Sequence, residues 1–402
     1  MKYTKQEVMQ FVQEEDVKFI RLAFCDVFGK QKNISVMPGE LDRVFEYGIA
    51  IDAWSIAGFD GEIHSDLFLH PDPSTLAVLP WRPEHGRVVR MFCDVTWPDG
   101  TPFAGDTRYL LKKAIQDAEN AGYHFQFGAE LEFYLFKRDE CGNPTKEPYD
   151  NAGYMDIAPD DKGENIRREI CMTLEQMGIC PESSHHEEGP GQNEIDFRYS
   201  EPLPAADHAL TFCSVVKTIA NRNGITADFA PKPLEHKPGS GMHINFSVKG
   251  ALNEAPLVPA IAGVLKNIEA MTLFLNPTEG SYARLGGQKA PRYISWSAEN
   301  RSQLIRIPAA FSEFKRAELR SPDPIANPYI AYALMIYAGL DGIQNHLELP
   351  PAVDVNLYTA APETLQNLRQ LPCSLAQAKE IAKASNFIRS HLPETIISAY
   401  MK

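Results

Sequence analysis

Apolar and polar residues alternate with a period of two in five stretches of the chain. In 125–136 (FQFGAELEFYLF), Gln126, Gly128, Glu130, Glu132 and Tyr134 fall on one side, with Phe127, Ala129, Leu131 and Phe133 on the other. Residues 193–199 (NEIDFRY) set Glu194, Asp196 and Arg198 against Ile195 and Phe197. Residues 241–248 (GMHINFSV) set His243, Asn245 and Ser247 against Met242, Ile244, Phe246 and Val248. The pattern also places Ser302, Leu304 and Arg306 opposite Gln303, Ile305 and Ile307, and Arg316, Glu318 and Arg320 opposite Ala317 and Leu319. Successive side chains point to opposite faces of a strand, so each stretch predicts a strand with one greasy and one polar face. Helical spacing predicts helices at about 4–15, 107–122, 163–178, 205–223, 256–275 and 326–345. The run VKFIRLAF at 17–24, a DVFGK turn and residues 33–36 read as a hairpin. Helices behind the greasy faces would leave the polar faces to line a cleft.

Pro-rich segments follow the hairpin, and TWPDGTPFAGD at 96–106 is the strongest break, with Asp106 or Thr107 able to cap the next helix. The chain is therefore divided into an N-terminal domain, 1–103, and a larger one, 104–402. Its 402 residues, 44% hydrophobic and 23% charged, are ordinary for a globular protein of this size and exclude a disordered chain. Lys and Arg number 39 against 53 Asp and Glu, a net charge of −14 that repels nucleic acid and anionic lipid. An anionic substrate then needs a local cluster of arginines. The sequence contains no run of 18 apolar residues and no apolar signal core at its start. Seven scattered cysteines without a Cys-x-x-Cys pair predict free thiols in a reducing, cytoplasmic setting.

Glu130 and Glu132, two apart on one strand, project to the same side about 7 Å apart at Cα. Unneutralised carboxylates are costly inside a cleft, and divalent cations are the usual remedy. HHEEGPGQNE adds Glu187 and Glu194, GSGMH adds His243, and KRAELR adds Glu318. Five carboxylates and one imidazole suit two hard ions, Mg²⁺ or Mn²⁺, better than Zn²⁺. Taken singly, each residue reads as a solvated carboxylate or a packed histidine, and their joint occurrence carries the argument. Of His185 and His186, at least one is expected to pack rather than to ligate. Arg284, Arg301, Arg306, Arg316 and Arg320 complete what phosphoryl transfer needs, since guanidinium forks neutralise phosphate and grip carboxylate. A GxxxxGK[ST] loop is absent, and the Gly-rich pieces lack the Rossmann order.

Nine ordered blocks then become familiar, among them FGAELEFYLF, SSHHEEGPGQNEIDFRY, PKPLEHKPGSGMHINFS, NPTEGSYARL and SWSAENRSQLIRIP. Over nearly its whole length the sequence resembles the glutamine synthetase family, in its bacterial class I form. The resemblance implies an α+β fold: a small N-terminal β-grasp-like domain and a catalytic domain with a curved antiparallel sheet backed by helices, shared with guanidino kinases. It implies that Glu132, Glu187 and Glu194 hold one metal, and Glu130, His243 and Glu318 the other. Arg284 and Arg320, with backbone at Gly239, match the glutamate clamps, and Arg301 and Arg306 the nucleotide and acyl-phosphate arginines. Tyr199, Ser247 and Arg316 align near adenosine. Asp52, Ser55 and Asp66 resemble a loop that a neighbouring subunit lends to the amine site, which Tyr154 borders. The implied reaction uses ATP and Mg²⁺ or Mn²⁺ to turn the γ-carboxylate of glutamate into an acyl phosphate, from which ammonia then displaces phosphate. The implied assembly is a hexameric ring, single or stacked, with sites between subunits.

Three departures qualify the resemblance. The flap RLGGQKAPRY is one residue short and carries Lys289 where the family has Glu; either Lys289 points elsewhere, Glu279 or water substitutes, or the acceptor is not ammonium. Pro238 stands where Asn is usual, and IDAWS puts Trp54 near the amine pocket. The chain also ends at ETIISAYMK, earlier than class I enzymes, and shows no adenylylation-type tyrosine loop. The alternatives to a glutamine synthetase are a γ-glutamyl ligase for an organic amine or polyamine and, from another class, a non-catalytic binding or regulatory ring protein.

Overall fold

A computed structural model describes residues 3–59, 65–82, 85–250, 255–309 and 315–402. Thr4 and Glu7 cap each other's backbone at the start of α1 (Lys5–Glu14). Strands β1 (Val17–Cys25) and β2 (Gln31–Val36) form the expected antiparallel hairpin, followed by α2 (Leu41–Tyr47), β3 (Ile49–Asp52), β4 (Asp66–Pro71), β5 (Ala77–Val78) and β6 (Arg87–Thr96). They form a six-stranded sheet in the order β2-β1-β6-β4-β3, with β5 also on β6. Only the central β1–β6 pair is parallel.

The second sheet has nine strands: β7 (Tyr123–Arg138), β8 (Pro144–Pro148), β9 (Pro181–His186), β10 (Gln192–Phe197), β11 (Thr226–Asp228), β12 (Met242–Gly250), β13 (Trp296–Ala298), β14 (Ile305–Ile307) and β15 (Ala317–Leu319). Its order is β13-β14-β15-β12-β7-β10-β9, with β8 and β11 also on β7. It is antiparallel except at the edge pair β13–β14, which is parallel. Helices α3 (Thr107–Asn120), α4 (Glu164–Gln176), α5 (Pro202–Arg222), α6 (Leu257–Leu275), α7 (Glu279–Arg284) and α8 (Pro328–Gln344) fall close to the spans that the apolar spacing predicts; α7 is additional. Short helices complete the C-terminal segment.

The greasy face of β7 carries the helices: Phe127 stacks on Tyr332 of α8 with centroids 4.5 Å apart, and Phe133 meets Phe212 of α5 at 6.0 Å. Among the described residues one helix, α6, is long and apolar enough to cross a membrane, but 72% of that window is buried inside the protein. It lies backbone to backbone on α8, where a Cβ added to Gly263 would come within 2.0 Å of the Ala338 carbonyl. All seven cysteines are free.

The stretch 302–307 departs from its pattern, because only Ile305–Ile307 is strand. Leu304 and Ile305 are both fully buried, and Ser302 and Gln303 are buried by bonds to Asn300 and to the Val355 carbonyl, so alternation there does not separate two faces. Arg108 of α3 ties the two sheets' layers together. Its guanidinium, 3% exposed, meets Asp72 at 2.8 Å, Asp94 at 2.8 Å and Asp207 of α5 at 3.1 Å.

Candidate active site

Register decides which side chains meet. Across the antiparallel ladders, Glu130 stands opposite His243 on one side and Asp196 on the other, and Glu132 opposite Glu194. Glu194 is in turn opposite His185, and Glu318 is opposite both Asn245 and Arg306. Residues directly opposite share a face, so one sheet surface carries all of these groups on the side away from the helices. Glu187 joins them from the turn after β9, where its N–H is held 2.8 Å from the Gln192 carbonyl.

The groups interlock. His243 Nδ1 lies 3.4 Å from Glu130 and 3.6 Å from Glu318, and Asn245 donates to Glu130 at 2.7 Å. Glu132 accepts from the Gly241 N–H at 2.6 Å, and His185 lies 3.3 Å from Glu187. Burial opposes ionisation of Glu130, but its bond to His243, the His243 charge and Asn245 outweigh it and hold the carboxyl well below its usual range. Glu194 is pushed well upward by burial and by the negative charges of Glu132, Asp196 and Glu130. Asp196 rises to about 6 through burial and the charge of Glu130.

Carboxylates this crowded and this buried need added positive charge. Donor atoms within 4.8 Å of one another group as Glu130–His243–Glu318, Glu132–Glu194–His243, His185–Glu187–Glu194 and Glu130–Glu194–Asp196. Glu318 is fully buried, and its Oε1 has no hydrogen-bond partner. The donor set fits hard divalent cations. The sequence reading missed two members, His185 and Asp196, although alternation had already put Asp196 on the polar face. A further trio, Asp150–Asp161–His186, is saturated: His186 sits 2.9 Å from Asp150 and 2.6 Å from the Glu187 carbonyl, and Arg167 closes on Asp161 at 2.5 Å. His186 is therefore the packed histidine and His185 the one facing the cluster.

Arginines border the same face. Arg306 donates to Glu318 at 2.8 Å, Arg320 Nε lies 3.2 Å from the other Glu318 oxygen, and Arg320 Nη1 donates to the Arg301 carbonyl. Buried Arg284 donates to the carbonyls of Ser321 at 2.7 Å and Arg320 at 3.2 Å. A Cβ on Gly239 would come within 2.8 Å of Arg284 Cγ, so only glycine lets the backbone lie there. Arg316 donates to Asn245 at 2.9 Å, and the side chain of Arg301 is exposed. Tyr199 lies against Gly128, where a Cβ would meet its own Cβ at 3.0 Å, and half-buried Ser247 stands opposite Gln126.

Two family descriptions account for the chain: the β-grasp domain of glutamine synthetase over residues 16–98 and its catalytic domain over 104–402. The chain belongs to the glutamine synthetase family. A glutamine synthetase from Clostridium saccharobutylicum is 42% identical over 100% of this chain and 94% of its own length. One from Methanosarcina mazei is 46% identical over 99% and 92%. Among solved structures, a GmaS/ADP complex superposes with a TM-score of 0.87 at 28% identity, covering 98% of this chain and 93% of that one. The two-part α+β architecture is that of the glutamine synthetase family, a family of ligases that use ATP and divalent metal.

The family's other expected groups divide. Asp52 ends β3, and its carboxylate accepts from the Trp54 N–H at 3.1 Å and the Ser55 hydroxyl at 2.8 Å. It is exposed, opposite exposed Asp66 on β4, and those bonds are local. Trp54 is 62% exposed. Lys289, by contrast, turns toward the carboxylates: its Nζ lies 3.2 Å from Glu188, 3.6 Å from Glu187 and 4.8 Å from the ring centre of Tyr154. Tyr154 in turn sets its ring edge-on to His185 at 5.4 Å. Pro238 contributes its carbonyl, which accepts from the Tyr134 hydroxyl at 2.6 Å.

Proposed function

We propose that the chain joins ammonia to the γ-carboxylate of glutamate at the expense of ATP, through γ-glutamyl phosphate, and so acts as a glutamine synthetase. The observation that carries this reading is the convergence of Glu130, Glu132, Glu187, Glu194, His243 and Glu318 on one sheet face bordered by arginines. Glu132, Glu187 and Glu194 hold one Mg²⁺ or Mn²⁺ ion, and Glu130, His243 and Glu318 hold a second. When bound, the two ions neutralise phosphate oxygens and favour charge build-up on the transferring group.

The chain's own residues supply binding and orientation. Arg284 and Arg320, with the Gly239 backbone, hold the carboxylates of glutamate so that its γ-carboxylate faces the γ-phosphate. Arg301 and Arg306 face the transferring phosphoryl group and neutralise it by bidentate contacts. Tyr199, Ser247 and Arg316 line the adenosine end. Asp52, supported by Ser55 and Asp66, is supplied by a second copy of the chain in a ring, and takes a proton from ammonium beside Tyr154. Its exposure supports delivery to another subunit. The domain boundary falls at residue 103, just before Asp106 caps α3. We place the reaction in the cytoplasm, in keeping with the unpaired cysteines.

A second reading, a γ-glutamyl ligase for an organic amine or polyamine, is favoured by Lys289 standing among carboxylates where the family carries Glu. Phosphate release with ATP, glutamate and Mg²⁺ or Mn²⁺, supplemented separately with ammonia, methylamine or putrescine, separates the two. Turnover dominated by ammonia is expected. Turnover only with an organic amine establishes the second reading, and silence with all three removes both.

A further inference from the structure

Both oxygens of Glu187 are engaged. Oε1 faces His185 at 3.3 Å, while Oε2 accepts the Glu188 N–H at 3.0 Å and faces the Lys289 ammonium at 3.6 Å. The same ammonium reaches Glu188 at 3.2 Å and lies 4.8 Å from the Tyr154 ring centre, so two carboxylates and an aromatic face surround it. This is the environment that would receive a free cation, filled instead by one tethered to the flap.

The tether is held by an uncommon backbone. Lys289 has φ 59°, in the left-handed region that side chains rarely adopt. The turn is reinforced by the Gly287 N–H donating to the Arg284 carbonyl at 2.9 Å and the Ala290 N–H to the Gly287 carbonyl at 3.3 Å. Residue 284 is itself a buried arginine of the site, so the segment from Arg284 to Ala290 links the glutamate-clamp arginine to the carboxylate cluster.

Resting on the ligand assignment proposed above, we infer that Lys289 is a cationic latch: its ammonium neutralises Glu187 and pins the flap to Glu187 and Glu188, and a divalent ion entering the site of Glu132, Glu187 and Glu194 displaces it. A metal needs an oxygen of Glu187, and a second positive charge within a few ångströms repels it. Loading the ion therefore frees the flap and clears the Tyr154 face for the amine. Lys289 is in this sense a positioning residue that orders metal before acceptor.

The test uses the full chain as wild type, Lys289→Met and Lys289→Arg. Mn²⁺ binding is followed by calorimetry, and amide exchange of residues 284–293 is measured with and without Mn²⁺. Removal of the charge in Lys289→Met should tighten Mn²⁺ binding at the weaker site by about tenfold, while Lys289→Arg stays within about threefold of wild type. Exchange across 284–293 should speed up on adding Mn²⁺ to the wild type, and in Lys289→Met it should be fast from the start. Equal Mn²⁺ affinity in all three proteins overturns the latch and leaves the ligand set standing. Tighter binding without any change in exchange reduces Lys289 to a distant charge and also overturns it. No Mn²⁺ binding in any of the three removes the ligand assignment and the latch together.

Discussion

His243 and Glu130 face each other across β12 and β7, with Nδ1 of the imidazole 3.4 Å from the carboxylate. Burial raises the cost of ionising Glu130, yet His243 and Asn245 hold it as an anion. Glu194 is pushed toward the neutral acid by burial and by the charges of Glu132, Asp196 and Glu130. One surface thus favours the anion at Glu130 and opposes it at Glu194, and added positive charge would favour the anion at both.

Replacing Glu130 with Gln keeps its volume and removes the charge that His243 and Asn245 orient. Mn²⁺ affinity by calorimetry should fall by about 10–100-fold. A change below twofold would take Glu130 out of the ligand set.

Arg306 and Glu318 form an ion pair 2.8 Å apart, with Glu318 fully buried. Arg306→Ala should slow phosphate release by about 10³-fold, the scale on which arginines act in phosphoryl transfer, with Arg306→Lys in between. Glu318→Ala should abolish release. Near-normal turnover in either alanine variant contradicts the assignment.

Arg108→Met leaves Asp72, Asp94 and Asp207 facing one another without their shared cation. Removing one member of a buried charge cluster costs about 3–5 kcal/mol. Urea unfolding should register that loss; a loss under about 1 kcal/mol would show that water or Lys112, 2.6 Å from Asp94, replaces the guanidinium.

Asp106 provides a pH signature. Burial and the charge of Asp94 raise its carboxyl from 3.8 to about 6, although the Val95 and Arg108 N–H groups donate to it. A carboxyl raised on folding stabilises the fold below its unfolded value, and that contribution disappears as pH rises through about 6. The stability difference between wild type and Asp106→Asn should therefore shift by about 2 kcal/mol against the wild type between pH 4 and pH 7. Parallel pH profiles for the two proteins would show that Asp106 is not displaced.

Much of this was determined locally. Alternation within 125–136, 193–199 and 241–248 put Glu130, Glu132, Glu194, Asp196 and His243 on polar faces, and apolar spacing located the helices, because side-chain direction depends only on a residue's place in its own element. Other features required the whole fold. That Glu194 meets Glu132, and Glu318 meets Arg306, follows from ladder register between separate strands. Local alternation could not choose between His185 and His186. The buried Asp150 made that choice by capturing His186 from outside the strand pair. At Leu304 and Ile305 burial on both sides overrode alternation, since the chain there lies within the interior rather than along a half-exposed sheet. Lys289 reads in sequence only as a charge out of place; a left-handed backbone and the carboxylates of a separate turn bring its ammonium onto Glu187 and Glu188. Periodicity states which way a side chain points, and long-range packing decides what it finds there.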